Sequence, residues 1–178
     1  GLVGYYNISA SDRAVHKVEA IAEEIIVTGD LHRSLEHALM PANDYLITGD
    51  RKYIDDFNFS SKRVEEGLKK TDELLSPFGS QHSEEERKSL DDIKTAWLNI
   101  KELSLKILSI PNPIGNRDGA RMMEEMDYRW GGPATELIDK WNKGHVEEYK
   151  EIVELAEKAR RTSGVIMGSV GALLLILG

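Results

Sequence analysis

Apolar and small residues in the first quarter of the chain recur in strict alternation of three and four positions. Ala14, Val18, Ile21, Ile25, Thr28, His32, Leu35, Leu39, Ala42 and Leu46 form one seam. That spacing puts every seam residue on a single helical face and predicts a helix over about residues 5–48. Pro41 has no N–H to give a helix interior, so a bend or local break is expected there. Gly49 offers a C-terminal stop, and Asp50 a cap for the next helix. A second helix, about 51–77, carries Phe57, Ser61, Val64, Leu68, Thr71, Leu75 and Phe78 on one face. Residues 76–82 read as a turn. Ser83 and Glu86 make a capping box for a third helix, about 84–109, with Leu90, Ile93, Trp97, Ile100 and Ile107 facing inward. After the loop Pro111–Asn116, a fourth helix starts near Arg117 and continues to about residue 163. Trp130-Gly131-Gly132-Pro133 interrupts it, and Pro133 suits the first position of a fresh helical segment.

These lengths predict an all-α fold: an antiparallel up-down four-helix bundle with two long helices, 1 and 4, and a shorter helix 2–helix 3 hairpin. Short turns make successive helices antiparallel neighbours. At ~1.5 Å per residue the long pair spans roughly 65 Å and the short pair roughly 40 Å. Helices 1 and 4 therefore run on alone beyond the hairpin. Their seam there is still apolar, with Val18, Ile21 and Ile25 facing Ile152, Ala156 and Ala159. Two helices bury little surface, so a homodimer closing this stalk is expected.

Both ends of the chain alter that picture. Residues 164–178 are fifteen positions without a charge, and residues 1–6 are another apolar stretch with two tyrosines. A helix apolar all round at a terminus has little protein to cover it, and Arg160 and Arg161 are placed to reach the headgroup level. The expected organisation is the end of a first transmembrane span at 1–6, a soluble domain at 7–163, and the start of a second span at 164–178. Lys and Arg total 23 against 31 Asp and Glu, a net charge of −8. No basic stripe exists, so no nucleic-acid partner is expected. The chain has no cysteine, which excludes disulfides and thiol chemistry.

The segment Asn43–Phe57 reads NDYLITGDRKYIDDF. It resembles the first helical corner of bacterial extracytoplasmic sensor domains, the four-helix-bundle chemoreceptor and CHASE3-like families, where a YL-x-TGD-x-x-Y stretch ends the first long helix. The matching positions are Tyr45, Leu46, Thr48, Gly49, Asp50 and Tyr53. Gly131-Gly132-Pro133 departs from the pattern, because the last helix of these families is usually unbroken. The resemblance implies the sensory input domain of a transmembrane chemoreceptor or sensor histidine kinase, in the inner membrane with the domain in the periplasm or outside the cell. It carries over no ligand residue, since these families share no ligand motif.

Counting down from the helix corners puts His37, Arg63, Trp97 and Trp130 at one height, beside the glycine break. An unwound segment there offers backbone donors and acceptors, and glycine permits close approach. Arg63, Arg121 and Arg129 can clamp a carboxylate with paired donors, and the aromatics can wall a pocket. The expected ligand is a small organic acid. The alternative is that the tryptophans are core and the arginines solvated. A lower layer holds Thr28, His32, Thr71, Trp141 and His145, read chiefly as polar residues that fix register. No metal site, cofactor or catalytic residue is expected: no phosphate loop, nucleophile elbow or zinc-histidine helix is present. Two other classes remain: a sensor without a pocket that reads a partner protein or the membrane, and a structural helical spacer.

Overall fold

The computed structural model is all-helical. It describes the backbone of residues 2–75 and 84–176, and the side chains of residues 16–75 and 84–158. Helix α1 spans Leu2–Thr48, α2 Lys52–Leu74 and α3 Glu84–Leu108. A fourth helical run comprises α4 (Arg117–Glu125), a π-helical segment (Met126–Gly131) and α5 (Gly132–Ile176). No strand occurs among the described residues. The expected turn at 76–82, its neighbour Ser83 and Phe78 lie outside the described residues. So do the side chains of the two expected span ends, 1–6 and 164–178. Among the described residues no helix is long and apolar enough to cross a membrane.

The first corner follows its residue chemistry. Gly49 ends α1 with φ of 72°, a conformation that costs an L side chain energy. Its N–H closes back on the Tyr45 carbonyl at 2.8 Å. Asp50 accepts the Lys52 N–H at 2.9 Å, so its carboxylate caps α2. That backbone bond, helped by the Lys52 charge, holds the Asp50 carboxyl below the usual carboxylate range. Tyr45 reaches across the core and donates to the Ile110 carbonyl at 2.7 Å, tying the end of α1 to the end of α3. At the next corner Asn116 Oδ1 accepts the Gly119 N–H at 2.8 Å and caps α4.

The chain divides into two compact units, residues 24–143 and residues 1–23 with 144–178. The first unit holds the main core. Leu31, Leu35, Ala38, Ala42 and Tyr45 of α1 are buried, as are Phe57, Val64 and Leu68 of α2. Ile93, Trp97, Ile100 and Ile107 of α3 join Met126, Ala134 and Ile138 of the fourth run. Three leucines of α1 each sit where another element offers a glycine. A Cβ on Gly67, Gly131 or Gly119 would come within 3.1 Å of a Leu31, Leu39 or Leu46 side-chain carbon respectively. In the second unit Ile21 is buried, Val18 and Ile152 are half-buried and Ala156 is exposed. Lys17 pairs there with Glu148 at 3.0 Å. Ala159, expected in the same seam, lies outside the described side chains.

Two expectations are revised. Of the bend or break expected at Pro41, the break is absent: α1 stays helical to Thr48. The run near Gly131 is not unwound either: it widens into a π-helix, with the Gly132 N–H bonding the Asp127 carbonyl five residues back. Pro133 gives the physical reason. In an α-helix its ring would strike the carbonyl of Arg129, and one extra residue per turn moves that carbonyl aside.

Leu35 is 1% exposed at the centre of this core. Leu35→Ala is expected to lower the free energy of unfolding by about 2–5 kcal/mol, read from urea titration followed by helical circular dichroism.

Candidate functional site

Two helical stripes face each other across a groove of about 290 Å³. Ser34, His37 and Pro41 supply the α1 side, and Asp56, Phe59, Ser60 and Arg63 the α2 side. Spacings of three and four residues put each set on one helical face. Ser34 donates its hydroxyl to the Asp30 carbonyl at 2.7 Å, and Ser60 donates to its own helix at Asp56, 2.9 Å away. Both hydroxyls therefore present acceptor lone pairs to the groove. Pro41 is buried, whereas His37 and Arg63 are exposed. Among the described residues, no carboxylate lies within ion-pair distance of Arg63. Pro41 also leaves the His37 carbonyl without its helical donor, adding a backbone acceptor on the α1 side.

The structure thus brings His37 and Arg63 together and separates the other expected ligand residues from them. Trp97 is 3% exposed and packs against Phe57, ring centroids 6.5 Å apart, so it belongs to the core and does not line this groove. Its indole N–H has no acceptor in this packing. Trp130 is half-buried in the π segment, with the Arg129 guanidinium 5.2 Å from its ring centre. Arg129 also lies 3.5 Å from Glu125, one turn back. Arg121 pairs with Asp118 at 3.0 Å on exposed α4. These two arginines are engaged along their own helix and do not line the groove. Equal residue counts from the corners put His37, Arg63, Trp97 and Trp130 at one height. The π segment and the separate faces of α3 and α4 break that equivalence.

Ser34, Pro41, Asp56, Phe59 and Ser60 also line the groove, and none of them stands among the site residues expected from the sequence. The signal was present: positions 34, 37 and 41 and positions 56, 59, 60 and 63 are same-face sets on adjacent helices. Reading it required knowing which faces of α1 and α2 adjoin.

The lower polar layer is structural in part. The Thr28 hydroxyl lies 2.7 Å from the Glu24 carbonyl oxygen and 2.7 Å from Asn142 Oδ1, linking α1 to α5. Thr71 donates to the Gly67 carbonyl at 2.9 Å. His32 is half-buried, with Nε2 3.8 Å from Glu36. Trp141 and His145 are buried. Among the described residues no group of three or more His, Asp or Glu side chains can hold a metal ion. A second groove, about 400 Å³, lies at the far corner between Leu46 and Ile47 of α1 and Ala120 and Met123 of α4.

In the π segment Asp127 is exposed, but the protein beside it takes some water from its carboxyl and raises it above its ordinary value. A raised folded-state value means ionisation is harder in the folded chain than in the unfolded one. Its favourable contribution is full below the unfolded value and is lost as pH rises through the folded one. Asp127→Asn is therefore expected to stabilise the protein at pH 7 and to lose that advantage in acid. Urea titrations across the pH range measure it.

No family model, curated protein or solved structure matches this chain, so the groove and the helical fold are the ground on which a function is read.

Proposed function

We propose that this chain is the sensory input domain of a transmembrane receptor, taking a small organic acid in the α1–α2 groove. The observation that carries the reading is the meeting of Arg63 and His37 in one groove, beside a proline that opens the α1 hydrogen-bond ladder. Arg63 presents a planar set of donors suited to a carboxylate. His37 adds a second donor, and Phe59 with Pro41 adds apolar surface for the carbon skeleton. Asp56 on the same stripe disfavours a second carboxylate, so a monocarboxylate fits best. The corner Tyr45–Tyr53, with its resemblance to extracytoplasmic sensors, and the uncharged residues 164–178 support attachment to a receptor in the inner membrane.

The architecture in this reading is an antiparallel up-down four-helix bundle, dimerising through the far ends of its long helices. Opposed numbering of cross-helix contacts supports it. Lys94 pairs with Asp72 at 2.8 Å and Lys101 with Glu65, so α3 descends as α2 rises. Thr28 meets Asn142 while Leu39 meets Gly131, the same opposition between α1 and the fourth run. A ligand changes the signal only by binding two packings of these helices with different affinity. The output of such a domain is a displacement of the fourth run against α1, where shifts of about 1–2 Å are a known switching amplitude.

Titration calorimetry with a panel of short mono- and dicarboxylic acids tests the site. Binding by a monocarboxylate is expected, weakened about tenfold or more in Arg63→Ala, as loss of a charge-assisted pair of about 1.5–3 kcal/mol implies. Absence of heat with every acid, or binding indifferent to Arg63, sinks this version of the reading.

A further inference from the structure

Both long helical runs carry a defect in their hydrogen-bond ladders, and the two defects meet. In α1, buried Pro41 cannot donate to the His37 carbonyl. In the fourth run the bonding steps out to five residues over Met126–Gly131, and Pro133 donates to nothing. Leu39 lies two residues before Pro41, and Gly131 two before Pro133. A Cβ on Gly131 would stand 3.1 Å from both Leu39 Cδ atoms, so the two helices touch at this level through a leucine seated on a bare backbone.

The contacts on either side run in different registers. From Leu39–Gly131 to Thr28–Asn142, both helices advance eleven residues. From Leu39–Gly131 to Leu46–Gly119, α1 advances seven residues and the fourth run twelve. The difference of five residues is about 7.5 Å at 1.5 Å per residue. The two rods keep step on one side of the contact and part on the other. The change falls where both ladders are open. An open ladder bends at less cost than an intact one, because no backbone bond need be broken.

We propose that the Leu39–Gly131 contact is the pivot of a hinge within residues 24–143, at which α1 and the fourth helical run bend together. Pro41 frees the α1 side. Pro133 pins the π segment in place, since moving the widened turn away would return the proline ring to a clash. Leu39 passes a bend in one rod to the other, because it stands so near the Gly131 backbone that a side chain there would crowd it. His37 and Pro41 also line the α1–α2 groove, so whatever fills the groove acts on the hinge. The hinge does not depend on the groove taking an acid, and its test uses no ligand.

The test is fluorine NMR of the chain carrying 5-fluorotryptophan, its three tryptophan signals assigned by single Trp→Phe variants. Pro41→Ala restores a donor to the His37 carbonyl and closes the α1 ladder. The expected result is displacement of the Trp130 signal, in the π segment, by several linewidths. That displacement should vanish when Leu39→Ala is added, with Leu39→Val as the milder alternative should the alanine variant unfold. Reciprocally, Pro133→Ala should move the His37 ring signals, again only with Leu39 present. The proposal is overturned if Pro41→Ala leaves Trp130 unmoved. It is equally overturned if the displacement persists without Leu39, or if all three tryptophans move alike.

Discussion

The 24–143 unit depends on how closely other backbones approach the buried face of α1. Leu31, Leu39 and Leu46 lie eight and seven residues apart on that face, and each is seated on a glycine: Gly67 of α2, Gly131 of the π segment and Gly119 of α4. A side chain at any of these glycines would press on its leucine. At Gly119 the added Cβ would come within 2.5 Å of Leu46 Cδ2. Dispersion falls off steeply with distance, so the close fit brings the leucines many contacts that a looser packing would forfeit. The same three contacts fix where α2, α4 and the π segment stand along α1.

Close packing also explains what the helices do with their defects. A proline inside a helix removes one bond and crowds one carbonyl. At Pro41, α1 remains helical and the groove to α2 lies on the affected side. At Pro133, the run ahead of the ring takes one more residue per turn and remains wound. The widened turn buries Met126, whose Sδ lies 3.1 Å from the Ser104 hydroxyl of α3. That hydroxyl donates to a soft acceptor in a fully buried setting, where leaving it unpaired would cost about 1–3 kcal/mol. The extra residue of the π turn is therefore built into the core.

Polar chemistry of the groove is sparse and concentrated. Its serines spend their protons on their own helices, which leaves Arg63 and His37 as the side-chain donors. In the proposed reading these donors favour an anion, and Asp56 on the same stripe disfavours a second negative charge. Trp97, by contrast, shows how an aromatic that reads as a pocket wall serves as core once Phe57 faces it.

The helices were legible in the sequence because their signals are local. The three-four alternation, the Gly49–Asp50 corner and the Pro111–Asn116 loop each act within a few residues through backbone geometry and caps. The buried face of α1 followed only in part from the same periodicity: Ile21, Thr28, Leu35 and Ala42 of the seam are buried, but so are Leu31, Ala38 and Tyr45, which the seam leaves out. His37 and Arg63 could be named together because α1 and α2 are unbroken from their shared corner, so a residue count along them keeps its meaning. Trp97, Arg121, Arg129 and Trp130 could not, because their positions depend on which face of α3 or α4 turns inward and on a π turn that shifts the count. Glycine and proline near residue 132 announced a defect, but not its form. Pro133 accounts for the widening, and the turn that stays wound there also fits the core, with room for Leu39 at Gly131 and with Met126 buried beside Ser104. Those two contacts are long-range packing terms, and only the tertiary structure contains them.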